Sequence, residues 1–334
     1  MQAKHVKQIQ HKKNLKIKKY GGIVIIIILY VSSLAIVYSQ EISTHITYKD
    51  EGFIEPFFCQ ETNCSQMLTL LLRNASAYCA FYDLGDANLI GALDSSTIQT
   101  ILFEENYEEE YSFATPVKSK GLMHNKFCVI NESIVLTGSW NPTYRGTNKN
   151  DNYILVIGSK KISSWYVQLW KHLQNRAIKS PAQLHLKLSG IPVDLFACPQ
   201  HNCEDEHITS IQKAKETIKI LAFTFTSKPI AQALIAKEQE DVNVSVVFEK
   251  TRVTRYATDE VLAKQNVSVK YDTNPYTMHE KLFIIDNITV FVGSYNPTKN
   301  ANENNDENVL RIQNEQIAKK FINEFNNIAN NSKK

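Results

Sequence analysis

Two stretches of the chain carry the same polar side chains at the same spacing. Met123–Asn141 reads MHNKFCVINESIVLTGSWN, and Met278–Asn296 reads MHEKLFIIDNITVFVGSYN. The shared polar and glycine positions are His124 and His279, Lys126 and Lys281, Gly138 and Gly293, Ser139 and Ser294, and Asn141 and Asn296. Each pair is 155 residues apart, so the alignment needs no gap. An internal repeat of two copies indicates two related half-sites in one chain.

Each copy places its polar groups on one side of a predicted strand hairpin. The apolar runs 127–130 and 282–285 are rich in strand-forming residues and are followed by turn residues. Alternate side chains of a strand share a face, so the histidine and the lysine two residues later point the same way. The serine and asparagine after the returning strand repeat that spacing. An imidazole, an ammonium, a hydroxyl and an amide on one edge can bind phosphate and supply a nucleophile or an acid.

The spacing H-x-K, four residues, an acid, six residues, then G-S-x-N resembles the signature of the phospholipase D superfamily. The second copy matches throughout, with Asp286 as the acid, whereas the first copy has Asn131 there. The superfamily also carries a glutamate 28 residues after the histidine. Glu307 occupies that position in the second copy, and Asn152 occupies it in the first.

The resemblance implies an α/β fold of two pseudo-twofold-related β-α-β sandwich halves, a monomer with an internal pseudo-dimer. It also implies a phosphodiesterase that needs no metal or other cofactor. One histidine would form a phosphohistidine, and the other would protonate the leaving oxygen and then activate water. The residues implied to be catalytic are His124, Lys126, Asn141, His279, Lys281, Asn296 and Glu307, with Ser139 and Ser294 binding substrate and Asn152 and the hairpin residue Asp286 in support.

The differences between the copies suggest which histidine has which role. A carboxylate beside an imidazole stabilises the protonated ring and raises its pKa. If Glu307 contacts His279, that ring is the better proton donor, and Asn152 would orient a neutral His124. We therefore predict His124 as the nucleophile and His279 as the general acid and base. Asp151 is an alternative orienting residue.

Strand and helix patterns alternate on both sides of the two motifs, which favours an α/β fold. We expect one half over residues 45–180 and the other over 190–330. Lys160–Leu188 predicts a polar linking helix, and Glu315–Ile328 predicts an amphipathic closing helix.

The N-terminal region has the pattern of a membrane anchor. Residues 1–20 hold seven lysines and no acid, and 21–38 are uncharged and just long enough to span a bilayer. A basic flank stays cytoplasmic, which predicts a single-pass protein with its catalytic body on the extracytoplasmic side. A signal peptide cleaved near Ser39, giving a secreted protein, is the alternative.

The cysteines also suggest an exported body. The C-x4-C segments Cys59–Cys64 and Cys198–Cys203 predict two short disulfide loops. A metal site that includes His201 and His207 is a less favoured hypothesis, because the first loop has no matching histidines. The other two cysteines, expected to be core thiols in strands, are Cys79 and Cys128.

The net charge of the chain after the N-terminal region helps to choose between a lipid and a nucleic-acid substrate. Seven of the 37 Lys and Arg residues and none of the 34 Asp and Glu residues precede Glu41, so the body carries 30 basic against 34 acidic residues, a net charge of −4. A nucleic-acid-binding domain usually has a basic surface. We therefore favour phospholipid hydrolysis at a membrane over an exported metal-independent nuclease. A catalytically inactive binding module is the third alternative.

Overall fold

The computed structural model describes residues 48–94, 99–104 and 111–334. The predicted basic tail (1–20) and membrane segment (21–38) lie outside these ranges. Within the described ranges, no helix is long and apolar enough to cross a membrane.

The first half of the described chain builds a seven-stranded sheet. Its strands are β2 (Phe53–Phe58), β3 (Ala77–Phe81), β4 (Gln99–Glu104), β5 (Ala114–Val117), β6 (Lys126–Ile130), β7 (Ile134–Gly138) and β8 (Tyr153–Gly158). They lie in the order β2-β8-β7-β6-β3-β4-β5. Strands β3, β4 and β5 are parallel, and the remaining neighbours are antiparallel.

The second half repeats this order within a nine-stranded sheet. Its strands are β1 (Tyr48–Asp50), β9 (Leu184–Leu188), β10 (Ile191–Cys198), β11 (Thr217–Ala222), β12 (Asn243–Phe248), β13 (Ser268–Tyr271), β14 (Lys281–Ile285), β15 (Thr289–Gly293) and β16 (Glu307–Gln313). The order is β1-β9-β10-β16-β15-β14-β11-β12-β13. From β10 onwards, each strand has a counterpart in the other sheet, as the internal repeat predicts.

Helices cover the sheets. In the described residues they are α1 (Cys64–Leu71), α2 (Ala87–Asp94), α3 (Tyr144–Asn148), α4 (Lys160–Gln174), α5 (Cys203–Gln212), α6 (Lys228–Gln239), α7 (Asp259–Ala263), α8 (Lys299–Glu303) and α9 (Glu315–Asn331), with a 3₁₀ turn at Lys250–Arg252. The mixed α/β class is confirmed.

The apolar runs of the motifs are buried on both faces of their sheets. In β14, Leu282 and Ile284 belong to the core that also contains residues of α4 and α9, whereas Phe283 and Ile285 belong to a separate core of the second half. Strands covered on both faces read as continuous apolar runs rather than alternating ones. Each motif histidine therefore lies two residues before a strand that is buried on both faces.

Both hairpins turn as predicted. Asn131 and Glu132 have φ values of 50° and 48°, and Asp286 and Asn287 have 51° and 57°. Two consecutive left-handed residues are the geometry of the two-residue turn that matches strand twist, and Asn and Asp tolerate it.

The linking segment differs from the prediction. The helix ends at Gln174, and Leu184–Leu188 is strand β9. The sequence LHLKL alternates apolar and polar residues, which is the strand period rather than the helical one. Strand β1, from the expected first half, also pairs with β9 in the second sheet.

Two of the three disulfides were expected, and one was not. Cys59–Cys64 and Cys198–Cys203 are bonded, which confirms the two short loops. The prediction of core thiols at Cys79 and Cys128 is wrong, because these two form a third disulfide. They are register partners on β3 and β6 with Cα atoms 4.0 Å apart. Each strand by itself reads as an apolar run, and only the pairing of the two strands brings the two cysteines together.

Candidate active site

The two motif histidines are joined across the halves by matching backbone contacts. The amide of His124 donates to the carbonyl of Asp306 at 3.0 Å, and the amide of His279 donates to that of Asp151 at 2.9 Å. Each histidine lies two residues before its strand, β6 or β14. Backbone hydrogen bonds between the halves therefore place both rings at the same interface.

Both histidines line one cleft of about 1000 Å³. Its wall also includes Asn141, Asn296 and Asn152. The Oδ1 atoms of Asn141 and Asn296 are buried without a hydrogen-bond partner in the described structure. The predicted imidazoles and amides are thus brought together in a cavity large enough for a phosphodiester and its substituents.

The residue beneath each imidazole comes from the opposite half, so the predicted pairing is wrong. Glu307 Oε2 lies 2.8 Å from His124 Nδ1, and Asn152 Oδ1 lies 3.0 Å from His279 Nδ1. Asp151 instead bonds Asn274. In the sequence, Glu307 and Asn152 each follow the histidine of their own copy, but in the structure each one contacts the histidine of the other copy.

The hydrogen bonds around Asn152 define the tautomer of His279. The Asn152 side-chain nitrogen donates to the carbonyl of Gly146 at 3.0 Å, so its oxygen faces Ser139 Oγ and the imidazole. An oxygen only accepts, and therefore His279 Nδ1 carries the proton. Its Nε2 then holds a lone pair, as a nucleophile requires.

Glu307 holds its carboxylate with several donors. Oε2 accepts from Ser294 Oγ at 2.6 Å and lies beside His124, while Oε1 accepts from Asn305. Burial raises the pKa of Glu307 to about 7, although the nearby Lys126 and these hydrogen bonds act against the increase. The His124–Glu307 pair can therefore hold a proton at acidic and neutral pH, which the neutral amide of Asn152 cannot do for His279.

Each motif lysine bonds the backbone carbonyl of its own motif histidine. Lys126 Nζ donates to the carbonyl of His124 at 2.6 Å, and Lys281 Nζ donates to that of His279 at 2.8 Å. Burial lowers the pKa of Lys126 to about 7, and burial together with the charge of Lys126 lowers the pKa of Lys281 well below its usual range. Two ammonium groups confined together in this way favour the binding of an anion.

Burial and the two lysines also act on the imidazoles. They lower the pKa of His124 and of His279 well below 6.5. Both rings are therefore neutral at neutral pH in the empty cleft.

The serines occupy a different place from the predicted substrate contact. Ser139 Oγ donates to Asn152 Oδ1, and Ser294 Oγ donates to Glu307 Oε2. Both are fully buried and also accept a backbone amide of the following strand. They position the groups that contact the histidines rather than face the cleft.

Comparison with known proteins agrees with the motif. The family model described as "Cardiolipin synthase, PLD-like domain" matches residues 69–174 and 207–329, more than half of the chain. The chain belongs to this phospholipase D-like family. Phospholipase D of Rickettsia prowazekii is 28% identical over 211 residues, which cover 62% of this chain and 93% of the relative. Mitochondrial cardiolipin hydrolase of Xenopus laevis is 27% identical over 138 residues, covering 40% and 66%.

A solved structure supports the fold over most of the chain. Phosphatidylserine synthase of Haemophilus influenzae superposes with a TM-score of 0.64 at 13% identity, covering 84% of this chain and 87% of that protein. At this identity, the likeness bears on the fold alone. The two-sheet architecture of this phospholipase D-like chain is thus shared with a solved protein.

Two further pairs of residues at the site are not predicted by the sequence motif of this phospholipase D-like chain. Glu104 and Glu249 are buried, and each accepts the amide of the methionine before a motif histidine, at 2.6 and 2.7 Å. Tyr82 and Phe223 follow equivalent strands and lie 4.9 and 4.6 Å from the rings of His124 and His279. Their spacing is not 155 residues, so a gapless alignment of the motifs misses them.

The motif acid lies in the hairpin and not in the cleft. Asp286 accepts the backbone amides of Lys215, Glu216 and Thr217. Asn131 accepts the amide of Ser76 in the same way. Either side chain can close this turn, which explains why the substitution of asparagine for the acid in the first copy leaves the hairpin intact.

The histidines near the second cysteine loop have structural partners. His207 Nδ1 bonds the carbonyl of Cys203 and packs 4.3 Å from the Phe291 ring, and His201 Nδ1 accepts the amide of Ala197. Across the described ranges, no cluster of three His, Cys, Asp or Glu side chains is placed to hold a metal.

Proposed function

We propose that this protein hydrolyses phospholipid phosphodiester bonds through a phosphohistidine formed on His279. The observation that carries the proposal is the crossed pairing of two imidazoles in one cleft, one against a carboxylate and one against an amide. Because Nδ1 of each ring is engaged, Nε2 is the nitrogen available for chemistry. One ring is thus suited to hold a proton and the other to hold a lone pair.

In the first step, His279 Nε2 attacks phosphorus as the bond from phosphorus to the leaving oxygen breaks. The negative charge of the bound phosphodiester offsets the two lysine charges, and Glu307 stabilises the imidazolium of His124. His124 gives its Nε2 proton to the leaving oxygen. These roles are the reverse of those predicted from sequence, and the same physical argument assigns them once the true neighbours are known.

In the second step, water attacks the phosphohistidine. His124, now neutral, accepts a proton from the water, the oxygen–phosphorus bond forms and the nitrogen–phosphorus bond breaks. Lys126 and Lys281 each use one N–H on a backbone carbonyl, which leaves two for phosphate oxygens. Asn141 and Asn296 add amide donors to the negative charge of the transition state.

A phospholipid substrate is supported by the mouth of the cleft. Tyr144 and Tyr276 line it and are 62% and 42% exposed. Tyrosine favours the interface of membrane and water because it has an apolar ring and a polar tip. The relatives are named phospholipase D and cardiolipin hydrolase, and the sequence predicts an N-terminal membrane segment.

A nuclease is the second candidate, because Arg145 and Arg252 line the same cleft as the tyrosines. Guanidinium groups and aromatic rings together also suit single-stranded nucleic acid.

The test is a parallel assay of the full chain in EDTA on mixed-detergent phospholipid and on single-stranded DNA. We expect head-group release from lipid, lost in both His279→Ala and His124→Ala variants whose melting temperatures match the parent. Degradation of DNA alone would establish the nuclease instead. Identical behaviour of the wild type and His279→Ala on every substrate would indicate a binding module.

A further inference from the structure

Two cations lie against the ring of Phe223, which packs beside the proposed nucleophile His279. Lys281 Nζ lies 4.5 Å from the centroid of the Phe223 ring, and Arg252 Cζ lies 4.7 Å from it. The same ring is 4.6 Å from His279. Each cation is attracted by the ring, but the two cations repel each other. An anion bound between them relieves that repulsion.

The backbone that bears Arg252 is tied to the catalytic motif. Glu249, which is fully buried, accepts the amide and the hydroxyl of Thr251 through Oε1 at 2.9 and 2.6 Å. Its Oε2 accepts the amide of Met278, the residue before His279. One carboxylate therefore holds the 3₁₀ turn of Arg252 and the start of the nucleophile strand together, which preorganises the guanidinium relative to the reacting nitrogen.

The charge of Arg252 exceeds what one phosphodiester needs. The scissile group bears one negative charge, and the proposed mechanism already assigns Lys126, Lys281 and the amides of Asn141 and Asn296 to it. Arg252 presents a planar guanidinium fork that matches the oxygens of a phosphate. Its charge also acts against the increase in the Tyr82 pKa that burial, Glu104 and Asp83 cause, so its field reaches the ring that packs beside His124.

In the part of the chain that the structure describes, the cleft lining contains two guanidinium groups and one carboxylate, Asp83, and the internal twofold relation does not repeat both guanidinium groups. Arg145 also lines the cleft, but its counterpart 155 residues later is Asn300, which bonds Asn305. A cleft for one symmetric phosphodiester has no need of these added guanidinium groups. They indicate a substrate with negative charge on one side of the scissile bond.

We propose that Arg252 forms a subsite for a second phosphate of the substrate, adjacent to the phosphodiester that is cleaved. This inference rests on the proposed hydrolysis and narrows its substrate to molecules with two neighbouring phosphates. Such a pair occurs in a diphosphatidyl lipid and in an oligonucleotide, and the guanidinium fork suits either because both present the same phosphate oxygens.

The test compares Arg252→Gln with the matched control Arg255→Gln. Arg255 is also exposed and also stacks at 4.7 Å, on Tyr256, but it lines a different pocket. The substrate pairs are cardiolipin against phosphatidylglycerol in mixed micelles, and trithymidine diphosphate against dithymidine monophosphate. Bis(p-nitrophenyl) phosphate reports hydrolysis without a second phosphate.

We expect the wild type to prefer the two-phosphate member of one pair, which identifies the source as lipid or nucleic acid. Arg252→Gln should lower kcat/KM for that member roughly 10- to 100-fold, mainly through KM, as expected for a charge-assisted phosphate contact. Its loss on bis(p-nitrophenyl) phosphate should be much smaller than its loss on the two-phosphate substrate, and all activities of Arg255→Gln should remain within about twofold. An equal loss on every substrate, or no preference in the wild type, overturns the subsite.

A binding measurement distinguishes an incorrect subsite from an incorrect proposal of hydrolysis. In the His279→Ala background, pyrophosphate and inorganic phosphate are titrated by calorimetry. Arg252→Gln should weaken pyrophosphate binding about tenfold or more and phosphate binding by less than about threefold. This result would support the subsite even if no substrate were turned over, and equal affinities for pyrophosphate with and without Arg252 would refute it.

Discussion

Replacing Glu307 with glutamine removes a buried negative charge from beside His124 while keeping the size of the side chain. Glu307 Oε2 lies 2.8 Å from His124 Nδ1, and Glu307 is fully buried. A hydrogen bond to a charged group contributes about 1.5–3 kcal/mol and a neutral one about 0.5–1.5 kcal/mol. The imidazolium therefore loses about 1–2 kcal/mol of stabilisation, which lowers kcat roughly 5- to 30-fold wherever proton donation limits the rate.

The leaving group shows whether the lost function is proton donation. Methyl p-nitrophenyl phosphate releases a stable anion that needs little protonation, whereas methyl phenyl phosphate releases a more basic one. We expect Glu307→Gln to slow the phenyl ester by the full factor and the p-nitrophenyl ester by much less. Glu280→Gln, which changes a buried carboxyl outside the cleft lining, is the control and should show no dependence on the leaving group.

Equal losses on the two esters would refute the assignment of His124 as the acid. So would a phosphohistidine mapped to His124 after quenching at alkaline pH, because the reasoning requires the phosphorylated ring to be His279.

Three other outcomes follow from the buried charges and the third disulfide. Because burial lowers the pKa of Lys126 to about 7, kcat/KM in a pH profile should fall as pH rises through about 7, and Lys126→Arg should move that fall to higher pH. Burial and Glu324 raise the pKa of Glu280 well above 4.5. The stabilising contribution of protonated Glu280 is therefore present below pH 4.5 and is lost as the pH rises through the folded-state pKa. Glu280→Gln should raise the free energy of unfolding at pH 8 and leave it unchanged near pH 4. Removing the Cys79–Cys128 bond, whose residues are 49 apart, should lower the free energy of unfolding by roughly 4 kcal/mol in denaturant titrations, more than opening either short loop.

The sequence predicts those parts of the site that depend on local geometry. The hairpins, the α/β class and the two short cysteine loops follow from spacing within one segment. It fails where two distant segments meet. The partner of His124 comes from the other half, and Cys79 finds Cys128 only across a strand pair.

Residues that support the histidines show the same limit. Glu104 and Glu249 look like ordinary acids at the ends of strands, and no spacing marks them. Their role exists only because the fold brings each one to the amide before a histidine. The sequence motif includes Ser139 and Ser294, but its spacing does not show that their hydroxyls bond the buried side chains of Asn152 and Glu307.

The reaction needs two chemically different histidines, and a fused repeat can build that difference into the chain. In a site made of two identical subunits, both imidazoles have the same neighbours, so only bound substrate can distinguish them. Here the backbone contacts of the two rings match within 0.1 Å, at 3.0 and 2.9 Å. The neighbours do not match, since Glu307 lies under one ring and Asn152 under the other. The loss of one carboxylate therefore decides which ring is stabilised as the imidazolium once substrate is bound, and it leaves the positions of both rings unchanged.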